Sequence, residues 1–282
     1  MNMNLVLQGP DASGDALTRI AALASPARVV PLGEHAVRCE GVAYSDILKA
    51  AIETAADGAR LDATFIAPGR SLRDFKLVAM DMDSTLITIE CIDEIADMQG
   101  LKAQVSAITE ATMRGELDFS ESLKRRVALL EGLDAGALER VYAERLAISM
   151  GGEAMLAGIK AAGLKTLLVS GGFTFFTDRL KARLGLDYAH ANVLDIVDGK
   201  LTGRVSGTIV DADEKKRTVE QVCAGLGISP AQAIVMGDGA NDLKMMGIAG
   251  LSVAFRAKPV VRAQADVALN HSGLDGLLAI LG

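Results

Sequence analysis

Short apolar runs alternate with helix-length amphipathic stretches along the whole chain. In the first seventy residues, Leu5–Leu7, Ala27–Leu32, Ala36–Val42 and Leu61–Ile66 read as strands, and Ala16–Leu23 and Ser45–Ala56 as helices. The resulting β-α-β-β-α-β order predicts a small α+β ferredoxin-like domain over residues 1–70. Ala67-Pro68-Gly69-Arg70 reads as the linker that ends it, because Pro and Gly punctuate regular structure.

A second pattern begins at Phe75–Met80, a buried-type strand that runs directly into Asp81. From about Ile92 to Ala147 the periodicity is helical, as in Ser120–Leu130 with its charge on one face. After Gly152, helix and strand alternate. Lys165–Val169 leads into Ser170-Gly171-Gly172 and Ala233–Met236 into Gly237-Asp238-Gly239. Leu251–Phe255 and Val267–Leu269 follow. Apolar strands separated by helices predict a Rossmann-like, doubly wound parallel sheet with helices on both faces over residues 75–282. The block at about 92–147 is then an inserted helical cap.

Composition narrows the function. A length of 282 residues suits two domains. Half of the residues are hydrophobic but only 4% are aromatic, with no Trp, so the core must be aliphatic. The net charge of −7 argues against a general binder of nucleic acid or anionic membrane. Cys39, Cys91 and Cys223 are far apart and lack metal-ligand spacing, which suggests reduced thiols in the cytoplasm. The N-terminus lacks the basic and apolar regions of a signal peptide, and no run of ~18 apolar residues suggests a membrane span.

Three polar clusters follow apolar strands, where open α/β sheets bind ligands. Asp81-Met82-Asp83-Ser84-Thr85 places two carboxylates where both can address one centre, one as nucleophile and one as acid and base. The same residues also suit a turn that caps a helix. Ser170-Gly171-Gly172 offers a hydroxyl and glycine amides to phosphate oxygens, or is an ordinary strand-to-helix turn. Gly237-Asp238-Gly239-Ala240-Asn241-Asp242 offers hard oxygen ligands suited to Mg²⁺, or is an Asx-rich cap.

If the clusters converge, Asp81, Asp83, Asp238 and Asp242 concentrate negative charge. Two unit charges ~4 Å apart repel by ~4 kcal/mol at an effective dielectric of ~20. Such a site needs cations before it can take a phosphate. Mg²⁺ and a lysine, Lys215 or its neighbour Lys216, are the expected sources, although a Lys-Lys-Arg run also suits a solvated face.

Taken together, D-x-D-S-T, S-G-G, a lysine and G-D-G-x-N-D in this order resemble the haloacid dehalogenase (HAD) superfamily of phosphohydrolases. The resemblance covers residues 75 to 282. It implies a Mg²⁺-dependent phosphoric monoester hydrolase with one Mg²⁺ per site. Asp81 would be the nucleophile and Asp83 the general acid and base. Asp81, Asp238 and the Asp83 carbonyl would hold the metal, supported by Asp242. Ser170, Gly171, Lys215 and Asn241 would hold the phosphoryl group. Glu90, followed by Ile92-Asp93-Glu94-Ile95-Ala96, would meet a substrate amine. Arg126 would meet a carboxylate and Phe119 would pack over the site. Those three imply phosphoserine as substrate and a place in serine biosynthesis. Residues 1–70 resemble ACT-like regulatory domains, which leaves amino-acid sensing and homodimerisation open.

Two rival functions remain at this level. A phosphotransferase of the same fold would pass phosphate to another alcohol such as homoserine. A non-catalytic regulator would sense an amino acid through residues 1–70, but has no need of four converging carboxylates.

Overall fold

The computed structural model describes residues 2–113 and 116–282. Met1, Arg114 and Gly115, which fall within the expected first domain and cap, lie outside the described residues. The chain opens with β1 (Asn2–Gln8), α1 (Gly14–Leu23), β2 (Arg28–Pro31), β3 (Ala36–Ala43), α2 (Asp46–Gly58), β4 (Asp62–Ile66) and β5 (Leu77–Met80). Four helices follow: α3 (Cys91–Asp97), α4 (Lys102–Met113), α5 (Phe119–Ala128) and α6 (Gly136–Glu144). Next come α7 (Gly152–Ala161), β6 (Lys165–Phe173), α8 (Thr174–Leu184), β7 (Tyr188–Val197), β8 (Lys200–Ser206), α9 (Ala212–Gly225) and β9 (Ala233–Gly237). The chain closes with α10 (Leu243–Met246), β10 (Leu251–Phe255), α11 (Pro259–Arg262), β11 (Val267–Leu269) and α12 (Gly276–Leu281).

Two sheets result. One has the order β2-β3-β1-β4 and the other β11-β10-β9-β5-β6-β7-β8. The first is antiparallel at each of its three pairings, as a ferredoxin-like arrangement requires. The second is parallel at β9–β10, β10–β11 and β6–β7 but antiparallel at β7–β8. That last pair is missing from the strand pattern read above. Asn192, Asp195 and Asp198 interrupt the apolar run there, so the hairpin does not resemble a buried parallel strand. The sheet is therefore mixed.

The chain forms two compact units. One comprises Met1–Val78, Ser149–Lys165 and Ile228–Gly282, the other Ala79–Ile148 and Thr166–Gly227. In the first unit, Leu5 and Leu7 on β1 share a core with Leu17 and Ile20 of α1 and with Ile52 of α2. Fully burying such a side chain contributes about 1.5–3 kcal/mol. Ser13 and Ser45 start the two helices by accepting the amides of Ala16 and Leu48, each at 3.2 Å. The other face of β1 packs on α12, which explains why Val6, between two core leucines, is also buried. Asp62, at the start of β4, is buried and accepts backbone amides from Asn270 (2.7 Å), His271 (3.1 Å) and Ser272 (2.8 Å). Gln8 donates to the Gly276 carbonyl at 3.1 Å, and Arg38 to that of Gly282 at 3.0 Å. The first seventy residues are thus tied to the C-terminal segment by hydrogen bonds as well as packing.

In the second unit, α3 packs on α4 and α6, α4 on α5, and α5 on β8. Gly203 of β8 permits that last contact: a Cβ there would lie 3.3 Å from the α5 backbone at Ala128, and its φ is +74°. Among the described residues, no helix is long and apolar enough to cross a membrane.

Candidate active site

The strand β5 delivers Asp81 into a sharp turn. Asp81 is extended, and its Oδ1 accepts the Met82 amide at 2.8 Å. Ser84 then takes a left-handed conformation at φ 55°, costly for a residue with a Cβ. Its hydroxyl donates to Glu90 Oε1 at 2.6 Å. The Asp83 Oδ1 accepts the Cys91 amide at 3.0 Å, the first amide of α3. The D-x-D-S-T segment thus does make caps, as an ordinary turn would. What separates it from one is the company it keeps.

Lys215 is fully buried, and its ammonium lies 2.8 Å from Oδ1 of Asp81. Lys216, the neighbouring alternative, instead pairs with Glu220 across one helical turn at 3.7 Å. The one-residue difference reflects helix geometry, since successive positions on α9 point about 100° apart. Burial pushes the Asp83 carboxyl up to about 7, with the nearby charge of Glu90 adding to the effect, while the Cys91 amide and Lys215 oppose it. A half-buried carboxylic acid that holds its proton near neutrality can donate it.

The S-G-G segment belongs to β6, which runs through both glycines to Phe173 rather than ending at Val169. Ser170 is buried and its Oγ accepts the Gly172 amide at 2.8 Å. The glycines are required by crowding. A Cβ on Gly172 would lie 2.7 Å from Asp83 Oδ2, and one on Gly171 would lie 2.7 Å from the Phe119 ring. The D-x-D and S-G-G segments therefore meet at side-chain distance, with Phe119 at the start of α5 beside them.

Asn192 was not singled out from the sequence. It is buried on β7, its Nδ2 donates to the Gly171 carbonyl at 2.8 Å, and its Oδ1 accepts the Val210 amide at 2.9 Å. The only signal available was a lone amide inside an apolar run.

Arg126 is half-buried on α5, and its Nε is buried without a hydrogen-bond partner. Burial lowers its affinity for a proton, and the charges of Asp93, Glu90 and Asp83 resist that effect. Arg125, by contrast, pairs with Glu121 at 2.7 Å on the exposed side of the helix.

The G-D-G-x-N-D segment closes β9. Asp242 is fully buried and accepts the Gly239 amide at 3.1 Å. A Cβ on Gly237 would strike the Asp242 carboxylate, and one on Gly239 the Asn241 side chain. Asp81 in the second unit and Asp238 and Asp242 in the first each offer carboxylate oxygens. An all-oxygen set of this kind fits a hard cation such as Mg²⁺ and could hold a metal ion.

These motifs match a known family. The family of haloacid dehalogenase-like hydrolases matches residues 78–247. The chain belongs to that family. Among its relatives, a phosphoserine phosphatase from a Polaromonas species is 58% identical over 219 residues, 76% of this chain and 93% of that one. A HAD-family hydrolase from Salmonella enterica serovar Typhi superposes with a TM-score of 0.90 at 32% identity, over 99% of this chain and 98% of the other. A phospho-aspartyl intermediate analogue of phosphoserine phosphatase superposes with a TM-score of 0.70 at 38% identity, over 74% of this chain and 99% of the other. The first-mentioned structure spans the N-terminal ferredoxin-like region as well as the HAD core.

Proposed function

We propose that the protein hydrolyses O-phospho-L-serine to L-serine and phosphate through an aspartyl phosphate on Asp81, as the last step of serine biosynthesis. The observation that carries this reading is the buried Lys215–Asp81 contact beside Asp83, Ser170 and Gly171 in a HAD hydrolase.

In the first step an Asp81 oxygen forms a bond to phosphorus and the bond from phosphorus to the seryl oxygen breaks. Asp83 gives its proton to that oxygen, so serine leaves neutral at the hydroxyl. In the second step Asp83 takes a proton from water, the water oxygen bonds to phosphorus, and Asp81 leaves as a carboxylate. Lys215 and the Met82 amide both hold Oδ1 and so fix the carboxylate plane. Ser170, Gly171, Lys215 and Asn241 carry phosphoryl oxygens through hydrogen bonds that strengthen as charge develops. Asp81, Asp238 and the Asp83 carbonyl, with Asp242 in support, would hold one Mg²⁺, which would supply the positive charge that lets a phosphate dianion approach these carboxylates.

Substrate choice rests on Glu90 for the amine, Arg126 for the carboxylate and Phe119 for a wall. The unpartnered Arg126 Nε supports this, because a buried N–H without an acceptor is costly and a substrate carboxylate would satisfy it. Residues 1–70 form an ACT-like regulatory or dimerisation domain and residues 75–282 the phosphatase core, with about 92–147 as the cap of that core. Dimerisation through that domain is part of the reading: β2 is an edge strand and Val29 on it is 47% exposed. A cytoplasmic location fits three unbridged cysteines.

Phosphate release across a panel of phosphomonoesters, with Mg²⁺ and with chelator, tests the proposal. Phosphoserine leads the panel, chelator stops turnover, and Asp81→Asn removes activity while the fold persists. Faster turnover of sugar phosphates would overturn the roles of Glu90 and Arg126.

A further inference from the structure

Within the first unit, Arg60, Arg256, Arg262, Asn270 and His271, none of them given a catalytic role above, line an open surface pocket of about 430 Å³ in which the three arginines are exposed. That size falls in the range of about 300–1,000 Å³ common to small-molecule sites. Among the described residues none of the three arginines has a carboxylate partner within 4 Å, although the chain as a whole is acidic. Among the described residues, the one acidic side chain that meets a side chain of the group is Asp57, whose Oδ1 lies 2.9 Å from Nε2 of His271. Asp62 also lies close in sequence, but its carboxylate is taken up by the amides of residues 270–272.

Backbone conformation adds an independent observation. Arg60, just beyond α2, has φ 57°, and Arg256, just beyond β10, has φ 45°. Both are left-handed positions, and the one after a helix is where glycine is the usual residue. The chain thus places arginine twice where glycine would relieve strain, and both arginines line one cavity. Strain retained in this way clusters at binding sites.

We propose that this cavity binds a phosphate-bearing anion, gripped by Arg60, Arg256 and Arg262 with Asn270 and His271 as further hydrogen-bonding groups. Guanidinium groups match phosphate oxygens in pairs, and a cavity of this size has room for an organic body beyond a single tetrahedral ion. The site also has a route to chemistry. Two residues after Arg256, the Lys258 amide donates to the Asp238 carbonyl at 3.1 Å. An anion that draws Arg256 inward would load the segment that positions Asp238. The binding itself stands whatever the substrate of the catalytic site.

Thermal melting of the full chain in chelator tests the proposal, with inorganic phosphate and methylphosphonate as probes. The wild-type melting temperature rises saturably with at least one of them. A stronger response to methylphosphonate identifies a phosphomonoester as the ligand class, and an equal or stronger response to phosphate identifies the free ion. Arg60→Gly/Arg256→Gly melts no lower than wild type in plain buffer, because glycine relieves both strained positions, and its apparent Kd rises at least tenfold. An unchanged response in the double variant would overturn the site, as would no saturable response in the wild type. A lower melting point of the double variant in plain buffer would instead make the arginines structural and also refute the proposal.

Discussion

The Lys215 ammonium lies 2.8 Å from Oδ1 of Asp81, with the lysine side chain fully buried and the aspartate side chain 7% exposed. A buried cation beside a buried anion is costly to separate, because the remaining charge keeps its desolvation penalty. Lys215→Met is expected to lower stability by about 3–5 kcal/mol. Turnover should fall by about 10²–10³-fold, the usual effect of removing one donor to developing charge. Melting curves and steady-state kcat check the two effects separately. Lys216→Met, which only loses a surface pair with Glu220, should change neither by much.

Gly172→Ala adds a methyl group 2.7 Å from Asp83 Oδ2, 2.9 Å from Met82 Cε and 3.0 Å from Ser170 Oγ. Three groups must move at once, two of them proposed to be catalytic or phosphate-binding. Overpacking should cost about 1–3 kcal/mol. Misplacing the acid by even ~1 Å should lower kcat by about 10²-fold. A variant with near-normal kcat would show that the Asp83 position seen here is not the working one.

Asn192→Ala leaves the Gly171 carbonyl and the Val210 amide without their partner. Each buried group left unsatisfied costs about 1–3 kcal/mol. Because Asn192 acts through Gly171, whose hydrogen bond to the phosphoryl group strengthens as charge develops, kcat should fall more than KM rises. Asn192→Asp should not restore function, since it keeps the acceptor for Val210 but removes the donor to Gly171. Denaturant midpoints and the KM against kcat split distinguish this role from a purely structural one.

Arg145 holds Glu94 and Asp97 by side-chain hydrogen bonds, and those bonds, the largest influence on each carboxyl, keep both below their ordinary range. A carboxyl with a lowered folded value contributes stability above its unfolded value, and that contribution is lost as pH falls through the folded one. Arg145→Met should therefore melt below wild type at neutral pH. The gap should close once the pH drops beneath the usual carboxylate range. Melting temperatures of both proteins across pH 2–8, an interval of about six units chosen to span carboxylate titration, check the sign.

Much of this was legible because it is local. The β-α-β-β-α-β order of the first seventy residues is set by apolar periodicity and by caps such as Ser13 and Ser45, which act over three residues. The three polar clusters are local for the same reason, each a short run of polar and small residues next to the apolar positions of a strand. The antiparallel β7–β8 hairpin was not legible. Asn192 meets Gly171 and Val210, far away in sequence, and Asp195 meets Thr202 across the hairpin, so the run lacks a buried strand's pattern.

The sequence by itself determined the chemistry available: two carboxylates after one apolar run, a hydroxyl with two glycines after another, and an Asp-Asn-Asp segment after a third. Only the tertiary structure decided which of two adjacent lysines reaches Asp81. It also decided that Asp83 is pushed toward neutrality, and that Gly171 and Gly172 must lack side chains. The physical reason is range. Propensity and capping act within a turn of chain, whereas desolvation, charge pairing and steric exclusion depend on what lies within a few ångströms, wherever it stands in the sequence.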